Sequence, residues 1–324
     1  MALTTLILGA GLGREYGFPD GAELRQQIMG ELSDDDLELR EMLAWSTDET
    51  VDEFAARHPK HVDQIRRIVI KILRNCEIES NLQQNIKPNT YKLMLKQIAA
   101  AFTKGDKVRI ITFNYDRSLQ YLLHRVNAYE PSERQIDPSI IIPIYGRLAP
   151  LGFEDAGNRN RRINYHKYGA EIDTSQVFLD GMDLDGLVQE NDRQADASIQ
   201  DGKDFSELCR NSKIIFIGET GASKASEIDG LLEKSDRIYF LGVGYHRANM
   251  EVMGFDFKKP HPGRIVAGTG LNLSGDDIDS LKETYPAINL IEPCDAHTFL
   301  KRKFDISEPS KNMLKRSASS LDVL

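Results

Sequence analysis

Two polar side chains follow a strongly apolar segment of the chain, and side chains of these types need a bonding partner. The sequence VRIITFNYDRSLQYLL, residues 108–123, begins as a β-branched apolar run, passes through Asn114, Tyr115 and Asp116, and resumes as an apolar stripe with helical spacing. A buried polar group left unpaired costs about 1–3 kcal/mol, so the amide and the carboxylate must bond each other, the backbone or a ligand. Asp116 could equally cap the following helix. For Asn114 we favour a functional role, because it would lie at the strand end that faces the expected cleft.

A glycine-rich turn near the N-terminus is the second segment with chemical potential. The sequence LILGAGLGREYGFPDGAEL, residues 6–24, ends a predicted strand in Gly9, Ala10 and Gly11. Glycines there let the backbone approach a pyrophosphate, and the amides of the next helix can bind its negative charge. The GxGxxG fingerprint would require glycine where Arg14 stands, which disfavours an ordinary Rossmann dehydrogenase. The glycines could also serve only a tight turn between strand and helix.

Apolar runs rich in valine and isoleucine alternate with helical patterns, which predicts βαβ units around a parallel sheet. These runs are TTLILGAG, VRIITFNYD, SIIIPIYG, KIIFIGE, DRIYFLGVG, GRIVAGTG and INLIEP. We therefore expect an α/β fold, a Rossmann-like parallel sheet flanked by helices, with a helical insertion after the first strand-helix step. In such sheets ligands bind beyond the carboxyl ends of the strands, so we expect the site there.

The periodicity divides the chain into a main domain and several interruptions. Residues 1–30 and 101–305 form the predicted Rossmann-type domain. Residues 31–100 form a helical insertion subdomain, of which VDQIRRIVIKILRNCEIESNL is the most periodic part. Residues 152–210 are polar and poorly periodic, so we interpret them as an irregular insertion or lid. Residues 306–324 are predicted to form a flexible tail.

Composition disfavours several classes of protein. A chain of 324 residues with 40% hydrophobic and 28% charged residues is typical of a soluble globular protein, and no stretch approaches the roughly 20 apolar residues of a membrane span. The N-terminus lacks the basic segment of a secretion signal, which predicts a cytoplasmic location. A net charge of −9 provides no general field for binding nucleic acid. Three scattered cysteines predict neither a disulfide framework nor a zinc site, and we expect no metal.

Several segments in a fixed order carry a resemblance to a known family. GAG followed by YGFPD, then TFNYDRSL, IYGRL and IYFLGVGYHRANME resemble the sirtuin-like NAD-binding domain, and specifically its bacterial branch associated with phage defence. The pattern spans roughly residues 3–300. The resemblance implies that NAD is the ligand. It also places the family's catalytic asparagine at Asn114 and the carboxylate that holds the nicotinamide end at Asp116.

The same resemblance assigns the other NAD contacts. The GAG turn would contact the pyrophosphate, the GFPD segment would form the cofactor loop, and the GVG segment would pack on the adenosine half of the dinucleotide. The residues assigned in this way are Gly9, Ala10, Gly11, Gly17, Pro19, Asp20, Thr112, Gly242, Gly244, His246 and Asn249.

Three departures from the sirtuin pattern argue against protein deacetylation. Tyr145 precedes Gly146 where deacetylating sirtuins have histidine, and a tyrosine with a pKa of about 10 is a poor base near neutral pH. The paired CxxC zinc module is missing, and Gly21 replaces the phenylalanine of the cofactor loop. We expect Tyr145 to shape the catalytic pocket or donate a hydrogen bond there. His166 and His246 are the candidate bases, with an ordinary solvated position as the alternative for each.

These features predict an NAD glycohydrolase that releases nicotinamide and ADP-ribose. Loss of nicotinamide leaves an oxocarbenium-like centre at the ribose, which needs positioning and nearby negative charge more than it needs a base. The resemblance implies that the enzyme depletes NAD in anti-phage defence by abortive infection, as a homo-oligomer controlled by a partner such as a HerA-type ATPase. One alternative is a catalytically weak sensor of NAD or ADP-ribose that gates a partner ATPase or nuclease. A nuclease is the weakest alternative, because no metal-binding constellation is evident.

Overall fold

The structure, a computed structural model, describes most of the predicted main domain and helical insertion. The residues it describes are 1–46, 50–77, 89–128, 131–148, 151, 209–210, 212–216 and 222–302. The predicted lid at 152–210, apart from its last two residues, lies outside the described residues. The predicted tail at 306–324 lies outside them as well, and so does His166.

Six strands of the described chain form one sheet in which every pairing is parallel. The strands are β1 (Leu3–Leu8), β2 (Lys107–Thr112), β3 (Ile141–Pro143), β4 (Arg237–Leu241), β5 (Ile265–Thr269) and β6 (Leu290–Glu292). Their order is β3-β2-β1-β4-β5-β6, which confirms the predicted Rossmann-like sheet. The strand order reverses between β1 and β4, so a crevice between their loops is the expected ligand site.

Helices flank this sheet, and a group of them separates β1 from β2. The α-helices of the described residues are α1 (Gly21–Glu31), α2 (Leu37–Trp45), α3 (Val51–Arg57), α4 (Val62–Cys76), α5 (Thr90–Thr103), α6 (Ser118–Asn127), α7 (Ala222–Leu232), α8 (Arg247–Val252), α9 (Gly275–Thr284) and α10 (Ala296–Arg302). Helices α2 to α5 follow the first strand-helix step, which confirms the predicted helical insertion. None of the described helices is both long and apolar enough to cross a membrane.

The core lies on both faces of the central strands. Leu6, Ile7 and Leu8 of β1 are completely buried, and so is Phe240 of β4. Helix α4 adds an apolar stripe to this core, which explains its strong periodicity in the sequence. Burial on both faces is why the strands read as continuous apolar runs rather than as alternating patterns.

The strand predicted at KIIFIGE does not form in the part of it that the structure describes, residues 213–216. Instead, the Lys213 amide donates to the Arg147 carbonyl at 3.0 Å, and the Ile215 amide donates to the Tyr145 carbonyl at 2.9 Å. Phe216 is buried, with the Arg66 guanidinium 5.5 Å from its ring centroid. The described residues 213–216 pack against the loop after β3 and, through Phe216, against α4, and they form no strand of the sheet.

Candidate functional site

A large cavity opens at the carboxyl edge of the sheet, where the loops after β1, β2, β4 and β5 meet. Its volume of about 1330 Å³ exceeds the roughly 300–1,000 Å³ of sites for drug-sized ligands, so it has room for a dinucleotide. The helical insertion completes the wall with Leu43, Asp52 and Leu73. A smaller cavity of about 350 Å³, lined by α2, Ser46 and His58, includes no strand-end residue. The large cavity is therefore the candidate site.

Two glycine loops pack backbone against backbone on one side of this cavity. The Gly9 amide donates to the Leu241 carbonyl at 3.0 Å, and the Gly11 amide donates to the Gly242 carbonyl at 2.9 Å. A Cβ atom on Gly9 would lie 2.5 Å from the Gly242 oxygen, and Gly242 itself has a left-handed φ of 64°. The contact between the loops therefore requires these glycines with or without a ligand. Ala10, predicted with them, lines the cavity as they do.

Two residues of the predicted cofactor loop, Gly17 and Asp20, have structural roles that explain their residue types. Asp20 caps α1, its Oδ1 accepting from the amides of Ala22 and Glu23 at 3.0 Å, while the Glu23 carboxylate accepts from the Asp20 amide. Gly17 has a φ of 89° and ends the short 3₁₀ helix Ala10–Tyr16. Of the three predicted residues, Pro19 and Asp20 line the cavity and Gly17 does not.

The predicted residues after β4 lie on the same cavity wall. Gly244, His246 and Asn249 all line it. His246 is exposed at the start of α8, and a Cβ atom on Gly244 would come within 3.0 Å of its ring. The Asn249 Oδ1 accepts a hydrogen bond from the Tyr145 hydroxyl at 3.1 Å. The structure thus brings together residues that are widely separated in the sequence.

The tip of β2 presents Asn114 to the cavity. Thr112 does not line the cavity, but its hydroxyl accepts from the Asn114 amide N–H at 3.0 Å and so fixes the backbone there. The side-chain oxygen and nitrogen of Asn114 are both buried and have no partner of good hydrogen-bond geometry within the described residues. The Tyr91 hydroxyl lies near enough to this amide to offset part of the rise that burial imposes on the pKa of Tyr91. Asn114 therefore lines the cavity with a side-chain amide whose hydrogen-bonding capacity is not met in good geometry by the described residues.

Asp116 lies both at the cavity and at the start of the helix that follows β2. It lines the cavity, and its Oδ1 accepts from the Ser118 amide at 2.9 Å at the start of α6. Burial raises its pKa to about 6, and the nearby Glu77 carboxylate adds to the rise, while the bond from Ser118 opposes it. Behind it, Glu77 forms a buried ion pair with Arg117, whose Nε donates to the Glu77 Oε1 at 3.0 Å.

Tyr145 lines the cavity and is not suited to act as a base. Its side chain is buried, with its ring centroid 5.6 Å from that of Phe113 and 6.3 Å from that of Tyr115. Burial raises the pKa of the Tyr145 hydroxyl well above its usual value, and the charges of Asp52 and Glu53 raise it further. A hydroxyl held protonated in this way donates a hydrogen bond, which agrees with the bond to Asn249.

Asp52 is a residue at this site that the sequence did not indicate. It follows the cap of α3 in the segment TDETVDEF, which reads as an ordinary helix start. In the structure it lines the cavity, and its Oδ1 accepts a hydrogen bond from the Tyr115 hydroxyl. Burial raises the pKa of Asp52 to about 6, against the lowering effect of the Tyr115 hydrogen bond. No pattern near Asp52 could have predicted this contact, because its partner is 63 residues away.

Comparisons with known proteins find likeness in structure but not in sequence. No protein-family model and no curated protein matches the chain. Solved structures of Sir2 proteins resemble it, three of which follow. Sir2Tm bound to a propionylated peptide is 18% identical over 93% of this chain and 91% of its own, with a TM-score of 0.39. A Sir2 protein in complex with 2′-O-acetyl-ADP-ribose gives the same values. A Sir2 homologue in complex with ADP-ribose is 11% identical over 99% and 94%, with a TM-score of 0.43.

Identities and TM-scores this low do not indicate the ligand or the activity of this chain. Evidence for either must therefore come from the geometry of the site. Among the described residues, no group of three or more histidine, cysteine, aspartate or glutamate side chains is placed to hold a metal ion. Around the end of β2, the polar groups that line the cavity include the Asn114 amide, the Asp52 and Asp116 carboxylates and the hydroxyls of Tyr115 and Tyr145.

Proposed function

We propose that this chain is an NAD glycohydrolase that cleaves NAD to ADP-ribose and nicotinamide. The observation that carries the proposal is the Asn114 side chain, whose two polar atoms are buried at a strand tip without a partner of good geometry. An unpaired buried amide costs about 1–3 kcal/mol, which a ligand with complementary polar groups would recover. A ribose hydroxyl and an attacking water are such groups. The motif TFNYD, which resembles the family's catalytic segment, supports the same assignment.

The surroundings of Asn114 suit cleavage of a glycosidic bond with a cationic leaving group. As the bond from the ribose carbon to nicotinamide breaks, its electron pair moves onto the pyridinium nitrogen, and positive charge develops on the ribose. Asp116 places a carboxylate in the same wall, and negative charge there stabilises the transition state. Water then adds to the ribose carbon and loses a proton, which gives ADP-ribose. Apolar and aromatic walls from Phe113 and Tyr145 limit access of bulk solvent.

The glycine side of the cavity would hold the rest of the dinucleotide. Because the amides of Gly9 and Gly11 are bonded to the β4 loop, these glycines act by allowing close approach of the ligand rather than by donating to it. Residues that the sequence did not single out extend this wall beyond β5, among them Thr269, Asn272 and His297. We assign the adenosine half to this side, since Asn114 and Asp116 mark the opposite end for nicotinamide.

One observation favours a second candidate function, a sensor of NAD or ADP-ribose without turnover. Tyr145 replaces the histidine of deacetylating sirtuins, and its hydroxyl is both buried and engaged with Asn249. A site that has lost its base could keep the ability to bind nucleotide and pass the signal to a partner ATPase or nuclease. We rank this function second because binding alone would not require the Asp116 carboxylate beside Asn114, whereas cleavage with a cationic leaving group would use its charge.

The biological setting is proposed from the sequence resemblance alone. We propose that the protein acts in anti-phage defence as a homo-oligomer, and that assembly or a partner such as a HerA-type ATPase restrains its activity. An enzyme that destroys NAD must be controlled. We propose the helical insertion as the surface to test for such contacts.

The decisive experiment measures nicotinamide release from NAD by the purified full chain, alone and with the product of a neighbouring gene. The comparison variant is Asn114→Ala, with calorimetric binding of ADP-ribose as the test that the cavity is intact. Release by the wild type that Asn114→Ala loses, with ADP-ribose still bound, supports the glycohydrolase. Nucleotide binding without release in either preparation contradicts it and supports the sensor.

A further inference from the structure

We propose that Asp52, contributed by the helical insertion, accepts the proton of the water that attacks the ribose. This inference rests on the proposed NAD glycohydrolase activity and names the group that replaces the histidine of the resembling family. It also gives the insertion a chemical role, because α3 carries the proton acceptor into a cavity otherwise built by the sheet.

The start of α3 orients Asp52 toward the cavity. Thr50 and Glu53 form a reciprocal cap, in which the Glu53 amide donates to the Thr50 hydroxyl at 3.1 Å and the Thr50 amide donates to the Glu53 carboxylate at 2.9 Å. Asp52 lies between these two residues, takes no part in the cap and lines the cavity wall. Its Oδ1 is held by the Tyr115 hydroxyl, which projects from the β2 tip next to Asn114.

This arrangement places a carboxylate beside the tip that carries Asn114. Asp52 and Asn114 line the same cavity, and Tyr115, the residue after Asn114 in the chain, bonds Asp52 through its hydroxyl. The charge of Asp52 also acts on Tyr145, which stands at the position of the family's histidine. A proton acceptor at Asp52 would therefore serve the part of the site where that histidine would act.

The other polar groups of this wall are less suited to the task. The Tyr145 hydroxyl stays protonated because burial raises its pKa. The Asp116 Oδ1 already accepts the Ser118 amide, which commits that carboxylate to the start of α6. His246 is exposed on the wall formed after β4. Asp52 is partly buried, and the Tyr115 hydroxyl positions its carboxylate.

The protonation behaviour of Asp52 fits the role. The ionisable groups that act on its pKa are the Tyr115 hydroxyl, whose hydrogen bond lowers it, and the Glu53 carboxylate, whose charge raises it. With a pKa of about 6, raised chiefly by burial, the carboxylate is ionised at neutral pH and is more basic than an ordinary aspartate.

The proposed step balances without any further reactant. The bond between the ribose carbon and nicotinamide breaks, and its electron pair neutralises the pyridinium nitrogen. The water oxygen forms the new bond to the ribose carbon, and one of its protons passes to the Asp52 carboxylate, which later releases it to solvent. NAD and water thus give ADP-ribose, nicotinamide and one proton. Because the departing nicotinamide creates most of the charge, we expect the base to contribute near the lower end of the usual range of about 100-fold to 10,000-fold.

The first test compares Asp52→Asn with Asp63→Asn in the full chain. Asparagine keeps the size of Asp52 and can accept from Tyr115, but it cannot take a proton at neutral pH. Asp63 is the matched control, because it lies in the same insertion on α4 with an exposed carboxylate. We expect kcat for nicotinamide release to fall about 100-fold in Asp52→Asn, with KM for NAD and ADP-ribose binding little changed, and no change in Asp63→Asn.

A second test distinguishes a proton acceptor from a structural residue. Azide attacks without losing a proton, so added azide should raise nicotinamide release by Asp52→Ala and yield a ribosyl azide product, but should not restore Asn114→Ala. Tyr115→Phe removes the bond that lowers the pKa of Asp52, so the acid limb of the kcat profile should move to higher pH. The other buried carboxylate, Asp116, is not hydrogen-bonded by Tyr115, so its titration should not produce this shift.

The outcomes separate this inference from the proposed function. A wild-type chain that releases no nicotinamide in any assembly overturns both. An active wild type with undiminished kcat in Asp52→Asn, or a slowed Asp52→Ala that azide does not accelerate, overturns the role of Asp52 and leaves the glycohydrolase standing.

Discussion

The tips of β1 and β4 and the tip of β2 border the same cavity, but they are built in opposite ways. At β1 and β4 the chain places glycines, and the two loops satisfy each other through backbone bonds such as that from Gly11 to Gly242. At β2 the chain places side chains, and the amide of Asn114 is left without a partner of good geometry among the described residues. The glycine tips are complete without a ligand, whereas the β2 tip is not.

This difference separates groups that shape the site from groups that act in it. The identity of Gly9 and Gly242 is explained by steric contact alone, so a glycine pattern resembling a nucleotide motif does not by itself show nucleotide binding. Steric contact of this kind does not explain Asn114 and Asp52, which both line the cavity. Polar groups that a fold leaves available are better evidence for chemistry than residues whose type the backbone already requires.

The largest effect on stability should come from the buried ion pair behind the β2 tip. Glu77→Gln removes the carboxylate partner of Arg117, and both side chains are almost completely buried. Breaking such a pair costs about 3–5 kcal/mol of the free energy of unfolding, which urea denaturation would measure. The control is Glu251→Gln, in an exposed pair with Arg247, where the loss should stay below about 0.5 kcal/mol. Equal losses in the two variants would show that burial of the first pair has no energetic consequence.

Next in size should be a substitution at the glycine tips. Gly242→Ala would force a left-handed backbone on alanine and drive its Cβ into the backbone of the β1 loop, so we expect a loss of about 2–4 kcal/mol in the free energy of unfolding. Gly30→Ala is the matched control, because no atom lies near its Cβ position in α1, and it should be neutral or slightly stabilising. A stable Gly242→Ala protein would mean that the two loops can separate, and the proposed contrast between the tips would fail.

A smaller effect of opposite sign should appear at Asp116. Its pKa is raised by burial from 3.8 to about 6, so the folded protein loses stability as pH rises through this interval and the carboxylate ionises. Asp116→Asn should therefore be more stable than the wild type by about 1–2 kcal/mol at pH 8. The gain should vanish at pH 4, as followed by urea denaturation at both pH values. An equal gain in stability at pH 4 and pH 8 would show that packing, and not the ionisation of Asp116, is its cause.

The smallest effect on stability should accompany the largest loss of activity. Asn114→Ala removes a buried amide without removing a well-formed hydrogen bond, so thermal denaturation should show unchanged or slightly higher stability, by up to about 1 kcal/mol. Nicotinamide release should be lost in the same preparation. A marked loss of stability would show that the amide already has a structural partner, which would make the β2 tip as self-sufficient as the glycine tips.

The sequence was sufficient to predict most of the architecture. Continuous β-branched runs ending in glycine or polar residues predicted the parallel sheet, and the periodic segment of α4 predicted the helical insertion. The exception was KIIFIGE, whose composition is that of a strand although its described residues lie against the loop after β3. Composition reports burial, and burial beneath a loop produces the same apolar pattern as burial in a sheet.

The individual roles within the site depended on information that no local pattern contains. Neighbouring residues determined on their own that Asn114 follows a buried strand and that Asp20 can cap α1, because strand ends and caps are set by the chain within a few positions. Only the tertiary structure decided that Gly9 and Gly242 exclude each other's side chains, and that Asp52 meets Tyr115 at the cavity wall. Contacts of this kind join segments far apart in the chain. They are fixed by how the helices and the sheet pack together, and not by the propensities of the residues that make them.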